Sequence, residues 1–401
     1  MKAKNFFGAA ALAFIFAAAS VLFPAGCSND DSGGGGNGGD KQNTGDGTEN
    51  GTQNPGDGTQ NTGDGPILTV GSDGSTGRWA GPIAFGNGKF VIRFSEGDGS
   101  RMSTSTDGKT WTAGTESGII CLRVIAYGGG KFAAGGYKNS MTCSSDGITW
   151  TTENYAPPGD SYPVGDSYNF INTIAYGSGK FVAGASEGIR AICSTDGITW
   201  TTAYTFGERR NGSITKGYEV KAIAFGDGKF VAVGSEYTAC STDGTAWTSA
   251  ETKKSGLDSS IRLKAIAYGN GKFVAGGSTL TGDKDNIAYS SDGITWTPVT
   301  TTAFDYLNNE KTRKQDIKVI AYGGGKFLAG GSKGRLAAST DGITWSPLPD
   351  ETFGIDEFNE GGNTRSIESI AYGNGKFVVV GNDYDFPNLA SKIICIPILN
   401  N

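Results

Sequence analysis

The sequence predicts an all-β fold, a seven-bladed β-propeller of four-stranded antiparallel blades, from two repeated motifs and from a lack of helical periodicity. The first motif, Ile-Ala-Tyr/Phe-Gly-x-Gly-Lys-Phe (the Gly-x-Gly motif), occurs seven times and begins at Ile83, Ile125, Ile174, Ile223, Ile266, Ile320 and Ile370. The second, Ser-x-Asp-Gly-x-Thr/Ala-Trp (the Asp-Gly motif), follows six of these copies and ends at Trp111, Trp150, Trp200, Trp247, Trp296 and Trp345.

Each Gly-x-Gly motif predicts a β-hairpin, because a tight turn separates two apolar runs, as in the stretch around Lys180. Each Asp-Gly motif predicts a second hairpin. Two hairpins give four strands in every interval of 42 to 54 residues. Seven such units bury their sheet faces when they close into a ring.

The seventh unit ends at Lys392-Ile393-Ile394-Cys395-Ile396 without an Asp-Gly motif, and therefore without a fourth strand of its own. The run Pro66-Ile67-Leu68-Thr69-Val70 precedes the first unit and belongs to no repeat. We expect this N-terminal strand to pair with the last blade and close the ring. Closure would remove an exposed sheet edge that invites aggregation.

The first 26 residues predict a lipoprotein signal peptide. Two lysines precede an apolar run from Phe6 to Phe23, and Pro24-Ala25-Gly26-Cys27 resembles a lipobox, although Pro24 stands where Leu, Val or Ile is usual. Cys27 is the expected lipidation site, which makes the chain an exported bacterial lipoprotein of the outer membrane or cell surface, with the periplasmic face as an alternative. An ordinary secretory peptide with an incidental cysteine, or a permanent membrane span, are the other interpretations.

Residues 27–65 predict a disordered tether, since almost no apolar side chain follows Cys27 and a Gln-Asn-Thr/Pro-Gly-Asp-Gly hexapeptide repeats there. Calcium loops are the alternative, but the spaced carboxylates that such loops need are missing. The predicted organisation is thus 1–26 signal peptide, 27–65 lipidated cysteine and tether, and 66–401 propeller.

The Asp-Gly motif is similar to the Asp box, Ser-x-Asp-x-Gly-x-Thr-Trp, of sialidases and other Asp-box (BNR-like) propellers, although it is one residue shorter between Asp and Gly. The resemblance implies a structural turn remote from any catalytic face. An aspartate at the start of a tight turn accepts hydrogen bonds from the amides of that turn. The expected structural aspartates are Asp107, Asp146, Asp196, Asp243, Asp292 and Asp341.

The composition of the chain excludes several classes of function. The net charge of −6 gives no overall attraction to nucleic acid, and the membrane is expected to be contacted only through the lipid. The chain contains no histidine, which excludes Ser-His-Asp and Cys-His nucleophile systems and histidine-ligated zinc. No metal and no cofactor are expected.

Strand direction divides the predicted surface into two rims. The repeated turns lie on one, and the segments that differ between units lie on the other, where we expect a protein or glycan ligand. Candidate ligand-binding residues in these segments are Tyr162, Tyr168, Arg209 and Arg210.

A sharper pattern occurs two residues before each repeated Ile, at what we call the ring positions. The seven residues are Gly81, Arg123, Asn172, Lys221, Lys264, Lys318 and Glu368. Because the first strand of a propeller blade is innermost, these residues should surround the mouth of the central channel. Four cations against one anion would favour an anion or acidic ligand. Side chains that simply extend into solvent are the alternative.

Non-enzymatic binding is the function that the sequence favours. A sialidase-like glycoside hydrolase acting on surface glycans is an alternative, but no arginine triad or Tyr-Glu pair can be assigned, so no catalytic residue is predicted. An assembly factor for an envelope complex is a third interpretation. A fold does not bring its chemistry with it.

Overall fold

The structure is a computed structural model. It describes residues 66–69, 79–96, 99–119, 121–137, 139–154, 170–185, 190–210, 213–217, 219–251, 255–282, 284–308, 311–353, 365–383 and 390–398. In these ranges the chain is almost entirely β, and the all-β, seven-bladed antiparallel propeller is confirmed. No helix among the described residues is long and apolar enough to cross a membrane.

The first three blades comprise thirteen strands. Blade 1 contains β1 (Pro66–Thr69), β2 (Ala80–Gly86), β3 (Lys89–Glu96), β4 (Gly99–Ser105) and β5 (Thr110–Glu116). Blade 2 contains β6 (Val124–Gly128), β7 (Lys131–Gly135), β8 (Ser140–Ser144) and β9 (Thr151–Asn154). Blade 3 contains β10 (Ile171–Gly177), β11 (Lys180–Ala185), β12 (Arg190–Ser194) and β13 (Thr201–Thr205).

The next three blades are interrupted by two additional hairpins, β14 (Gly207–Arg210) with β15 (Ser213–Gly217), and β24 (Asp305–Asn308) with β25 (Lys311–Lys314). Blade 4 contains β16 (Val220–Gly226), β17 (Lys229–Gly234), β18 (Tyr237–Ser241) and β19 (Thr248–Glu251). Blade 5 contains β20 (Ile261–Gly269), β21 (Lys272–Thr279), β22 (Ile287–Ser290) and β23 (Thr297–Pro298). Blade 6 contains β26 (Ile317–Gly323), β27 (Lys326–Gly331), β28 (Leu336–Ser339) and β29 (Ser346–Pro347), followed by a 3₁₀ turn at Asp350–Thr352.

Blade 7 contributes three strands within the described residues, β30 (Ser366–Gly373), β31 (Lys376–Asp383) and β32 (Ala390–Pro397). In every blade the first strand is innermost. Each innermost strand packs against those of the two neighbouring blades, and β30 packs against β2, so the ring is closed.

The prediction that the N-terminal strand pairs with the last blade is wrong. β1 instead pairs antiparallel with β5, with Thr69 opposite Thr110, and forms a fifth strand on blade 1. The outer edge of β5 offers free backbone groups, and only ten residues separate Thr69 from Ala80 on the innermost strand of the same blade. A short connection therefore keeps β1 close to its own blade.

The seam between blades 7 and 1 is held by packing and by scattered hydrogen bonds instead of a shared strand. The Ala80 N–H donates to Ser391 Oγ at 2.6 Å, and the Ile83 N–H donates to Ser369 Oγ at 3.2 Å. A buried cluster that includes Phe90, Trp111, Val378 and Ile393 fills the same seam.

A glycine-to-aromatic contact joins every pair of neighbouring blades. The fourth residue of each Gly-x-Gly motif is a glycine that lies against the aromatic ring of the third residue in the next blade, so that a Cβ on the glycine would overlap the ring. The seven contacts are Gly86 to Tyr127, Gly128 to Tyr176, Gly177 to Phe225, Gly226 to Tyr268, Gly269 to Tyr322, Gly323 to Tyr372 and Gly373 to Phe85. The same joint thus recurs around the whole ring.

The turns of the two motifs lie together on one rim. Lys89 Nζ in blade 1 donates to the Asp146 carbonyl oxygen in blade 2 at 3.1 Å, and Asn374 Nδ2 in blade 7 donates to the Gly88 and Thr106 carbonyl oxygens in blade 1. We call this side the repeated-turn rim and the opposite side, where the innermost strands begin, the variable rim.

Candidate ligand-binding site at the channel mouth

The ring positions lie at the start of the innermost strands, at a recurring β-bulge. In five blades the ring position is the extra residue of the bulge, as for Lys318, which is skipped between the pairs Ile317 to Gly331 and Val319 to Gly330. The same irregularity occurs at Asn172, Lys221, Lys264 and Glu368. In a regular strand each side chain points to one face of the sheet. A bulge changes the direction of the side chain at the extra residue.

Side chains at the ring positions contact the next blade around the channel. Lys264 Nζ lies 2.5 Å from Asp316 Oδ2, and Lys318 Nζ lies 2.9 Å from Glu368 Oε1. Asn172 Nδ2 donates to Glu219 Oε1 at 3.0 Å. Glu368 is fully buried. The predicted cations are therefore brought together, but they sit within a network that already contains carboxylates.

Two of these carboxylates were missed by the sequence analysis. Glu219 and Asp316 each lie two residues before a ring lysine, and Glu219 Oε2 is 2.6 Å from Lys221 Nζ. The signal in the sequence is the spacing of two residues between each of these carboxylates and a ring lysine. The balance of four cations against one anion was consequently incomplete.

Arg123 is the least neutralised of the predicted cations. Its guanidinium carbon lies 3.2 Å from the centre of the Phe170 ring in blade 3, a cation–π contact. Burial lowers the pKa of Arg123 to about 10, against the opposing field of Glu219, so the side chain stays charged at neutral pH. Its Nε–H group is buried and donates to no partner within the described residues.

Blade 1 has no side chain at its ring position, and an arginine from the second strand takes that space. A Cβ at Gly81 would lie 2.9 Å from Arg93 Nε. Arg93 is buried and donates from Nη1 to the Leu122 carbonyl oxygen at 3.3 Å, and burial lowers its pKa to about 10. Arg93 is a fifth cation that the ring pattern did not predict.

Among the described residues, the charged side chains named above at the mouth sum to a positive charge. The cations are Arg93, Arg123, Lys221, Lys264 and Lys318, and the carboxylates are Glu219, Asp316 and Glu368. Five against three leaves a formal charge of +2 among these residues. Each of the three lysines lies within ion-pair distance of one of the three carboxylates.

The structure describes only two of the four other predicted ligand-binding residues. Arg209 and Arg210 lie on β14, one of the two additional hairpins. Tyr162, Tyr168 and the predicted lipidation site Cys27 lie outside the described residues.

The second additional hairpin is anchored to its surroundings. Lys314 Nζ on β25 lies 2.8 Å from Asp305 Oδ1 on β24, and Arg313 Nη1 donates to the Thr281 carbonyl oxygen in blade 5 at 2.5 Å. Lys333 Nζ in blade 6 lies 5.3 Å from the centre of the Tyr306 ring. The hairpin thus bridges blades 5 and 6.

The aspartates of the Asp-Gly motif bond to their own turn. Asp107 Oδ1 accepts hydrogen bonds from the Lys109 and Thr110 N–H groups at 2.7 and 2.8 Å, and from the Ser105 hydroxyl at 2.8 Å. The same pattern occurs at Asp146, Asp196, Asp243, Asp292 and Asp341. Partial burial acts to raise the pKa of Asp107, but these hydrogen bonds outweigh it and hold the pKa at about 2.

The described residues contain no group of three or more His, Cys, Asp or Glu side chains that could hold a metal ion. The described geometry on the variable rim is that of a charged channel mouth on a closed ring. Such a surface can bind a complementary charged group.

No protein-family model matches the sequence, and no curated protein matches it. Solved structures of similar shape include YCF48 from Cyanidioschyzon merolae, with a TM-score of 0.51, 15% identity, and coverage of 82% of this chain and 96% of that one. A chain of the mitotic checkpoint complex gives a TM-score of 0.53 at 10% identity, covering 88% of this chain and 97% of that one. YCF48 bound to D1 peptide gives 0.47 at 15% identity, with coverage of 79% and 92%. At these identities the similarity shows the propeller fold alone.

Proposed function

We propose that this chain is a non-enzymatic, lipid-anchored binding module of the cell envelope or surface, and that it holds an acidic segment of a protein or glycan at the channel mouth. The observation that carries the proposal is Arg123 at the channel mouth, a partly buried guanidinium that stacks on Phe170 and whose Nε–H donates to no partner within the described residues. A partly desolvated guanidinium attracts an anion more strongly than a solvated one does.

The variable rim supports binding over catalysis. It carries both additional hairpins next to a rigid ring, which is the usual arrangement for recognition loops on a scaffold. The mitotic checkpoint complex, one chain of which shares the propeller fold, is an assembly of proteins, and this favours a protein ligand here.

Arg123 is the residue on which the binding test is made. Calorimetry with poly-L-glutamate as the acidic probe should show about tenfold weaker binding for Arg123→Gln, because one charge-assisted contact is lost. Lys109→Gln is the matched control, since Lys109 is an exposed cation on the repeated-turn rim. Equal affinities for wild type and Arg123→Gln would refute an acidic ligand at the mouth.

The lipid anchor is tested separately at Cys27. Mass spectrometry of the chain expressed in a bacterium should show a diacylglyceryl group on residue 27. In a phase-partitioning experiment, the wild-type protein should enter the detergent phase and Cys27→Ala should enter the aqueous phase. A wild-type protein that begins at another residue, or that lacks the lipid, would contradict the anchor. Fluorogenic sialosides assayed in parallel test for hydrolysis.

A further inference from the structure

Three ring residues contact the same place in the next blade, the residue four positions before that blade's repeated Ile. We call the seven residues at this place the cap positions, and they are Trp79, Cys121, Phe170, Glu219, Arg262, Asp316 and Ser366. The three contacts join Arg123 to Phe170, Asn172 to Glu219, and Lys264 to Asp316. The residue at a cap position therefore decides which charge faces the ring residue of the preceding blade.

A carboxylate stands at the cap position in the two blades that the additional hairpins precede. β15 ends at Gly217, two residues before Glu219, and β25 ends at Lys314, two residues before Asp316. None of the other five cap residues is an aspartate or a glutamate. The segments that carry the additional hairpins therefore also bring negative charge to the channel mouth.

Glu219 uses both of its carboxylate oxygens at the mouth. Oε1 accepts a hydrogen bond from Asn172 Nδ2 at 3.0 Å, and Oε2 lies 2.6 Å from Lys221 Nζ. Burial lowers the pKa of Arg123, and the negative charge of Glu219 opposes that shift. Donors from blades 3 and 4 thus converge on a single carboxylate, within the electrostatic reach of the Arg123 cation in blade 2.

The donors are fixed, whereas the Glu219 carboxylate is open to solvent. Asn172 is buried and the Lys221 side chain is 10% exposed, but the Glu219 side chain is 32% exposed. Glu219 also precedes Val220, the first paired residue of β16. A solvent-accessible ion pair contributes little to stability, so this carboxylate can leave its donors while they stay in place. Glu368 differs, because its side chain is 1% exposed.

We propose that Glu219 is an internal competitor at the channel mouth, whose carboxylate occupies the place that a carboxylate of the acidic ligand takes on binding. The inference rests on the proposed function and deepens it. The ligand group is a carboxylate, because the donors already fit one. A ligand binds by displacing Glu219 from Asn172 and Lys221, and this exchange limits its affinity.

Calorimetry with poly-L-glutamate tests the exchange. Glu219→Gln should bind this probe about tenfold more tightly than wild type, because no internal carboxylate then competes for Lys221 and Arg123. Glu219→Asp keeps the charge but shortens the side chain by one methylene, which draws the carboxylate away from Asn172. We expect about threefold tighter binding for this variant, between wild type and Glu219→Gln.

Asp227→Asn is the matched control, since it removes the same charge from blade 4 on the repeated-turn rim. Asparagine already occupies the equivalent turn position at Asn87, Asn270 and Asn374, so the substitution suits the turn. Its affinity for poly-L-glutamate should equal that of wild type. Circular dichroism checks that each variant is folded, and if Glu219→Gln is not, Glu219→Asp decides the test.

Two results would overturn the inference and leave the proposed function standing. One is that Arg123→Gln weakens binding while Glu219→Gln and Glu219→Asp bind no more tightly than wild type. The other is that Asp227→Asn tightens binding as much as Glu219→Gln does, which would make net charge the cause. If Arg123→Gln binds as wild type does, the acidic ligand is not held at the mouth, and both proposals fail.

Discussion

Gly373 in the last blade lies against the aromatic ring of Phe85 in the first blade, and so repeats, across the only seam without a continuous chain, the joint used at the six other seams. The absence of a Cβ allows the innermost strands to approach each other. The aromatic ring fills the space that results. Glycine at this place is a packing requirement and not a turn requirement.

Gly373→Ala should lower the free energy of unfolding by about 3 kcal/mol, because the new methyl group would overlap Phe85. Gly375→Ala is the control. A Cβ there meets no atom within 4 Å, and only the positive φ of 75° opposes it, at a cost of about 1 kcal/mol. Urea denaturation gives both values. Equal losses would contradict the packing role.

The ion pair between Lys318 and Glu368 should behave as a buried pair. Lys318→Met leaves the fully buried Glu368 without its lysine and should cost about 3–5 kcal/mol. The double variant with Glu368→Gln should recover most of that loss. Lys264→Met provides the comparison, because its partner Asp316 is 24% exposed and the cost should be about 1 kcal/mol. A double variant no more stable than Lys318→Met would refute this account.

The low pKa values of the motif aspartates predict that the folded protein loses stability in acid. Their pKa values, about 2 for Asp107, Asp196 and Asp341, lie below the unfolded value of 3.8, because hydrogen bonds outweigh partial burial. Their stabilising contribution is therefore complete above pH 4 and is lost as the pH falls from about 4 to 2. Thermal unfolding between pH 6 and 2 measures this loss, and Asp196→Asn should make it shallower. A melting temperature that does not change over this interval would argue against it.

Ser178 should be a weak point among the hairpin turns. It has a φ of +46°, whereas asparagine or glycine stands at the equivalent place in five other blades. Ser178→Gly should therefore raise the free energy of unfolding by about 0.5 kcal/mol. Glycine removes the penalty of the left-handed conformation in the folded state, but it also increases the entropy of the unfolded chain, which offsets part of the gain. Asn87→Ser, at the equivalent place with a φ of +52°, is the reverse test and should destabilise the protein. If chemical denaturation shows that Ser178→Gly destabilises the protein and that the asparagine-to-serine variant stabilises it, backbone strain in the turn is not the cause.

Much of the fold could be predicted because the repeat fixes strand number, order and direction together. The position of β1 could not, because an unpaired strand edge offers the same backbone groups in any blade. Chain reach, and not side-chain pattern, places Thr69 opposite Thr110.

The candidate site could be predicted only in outline. The ring positions follow from their fixed offset before the repeated Ile. Glu219 and Asp316 were missed because they belong to segments that vary between units, and Arg93 because it reaches the ring from a second strand. Contacts between blades depend on the twist of each sheet, which no single repeat encodes.

The lack of a shared strand between the first and last blades has a consequence during synthesis. The Ala80 N–H finds Ser391 Oγ only after 311 further positions of the chain have been made. Until then the face of blade 1 that holds Trp111 has no cover, and a nascent chain on the ribosome would expose it throughout. We expect truncation within blade 7 to yield an aggregating product instead of a stable six-bladed ring.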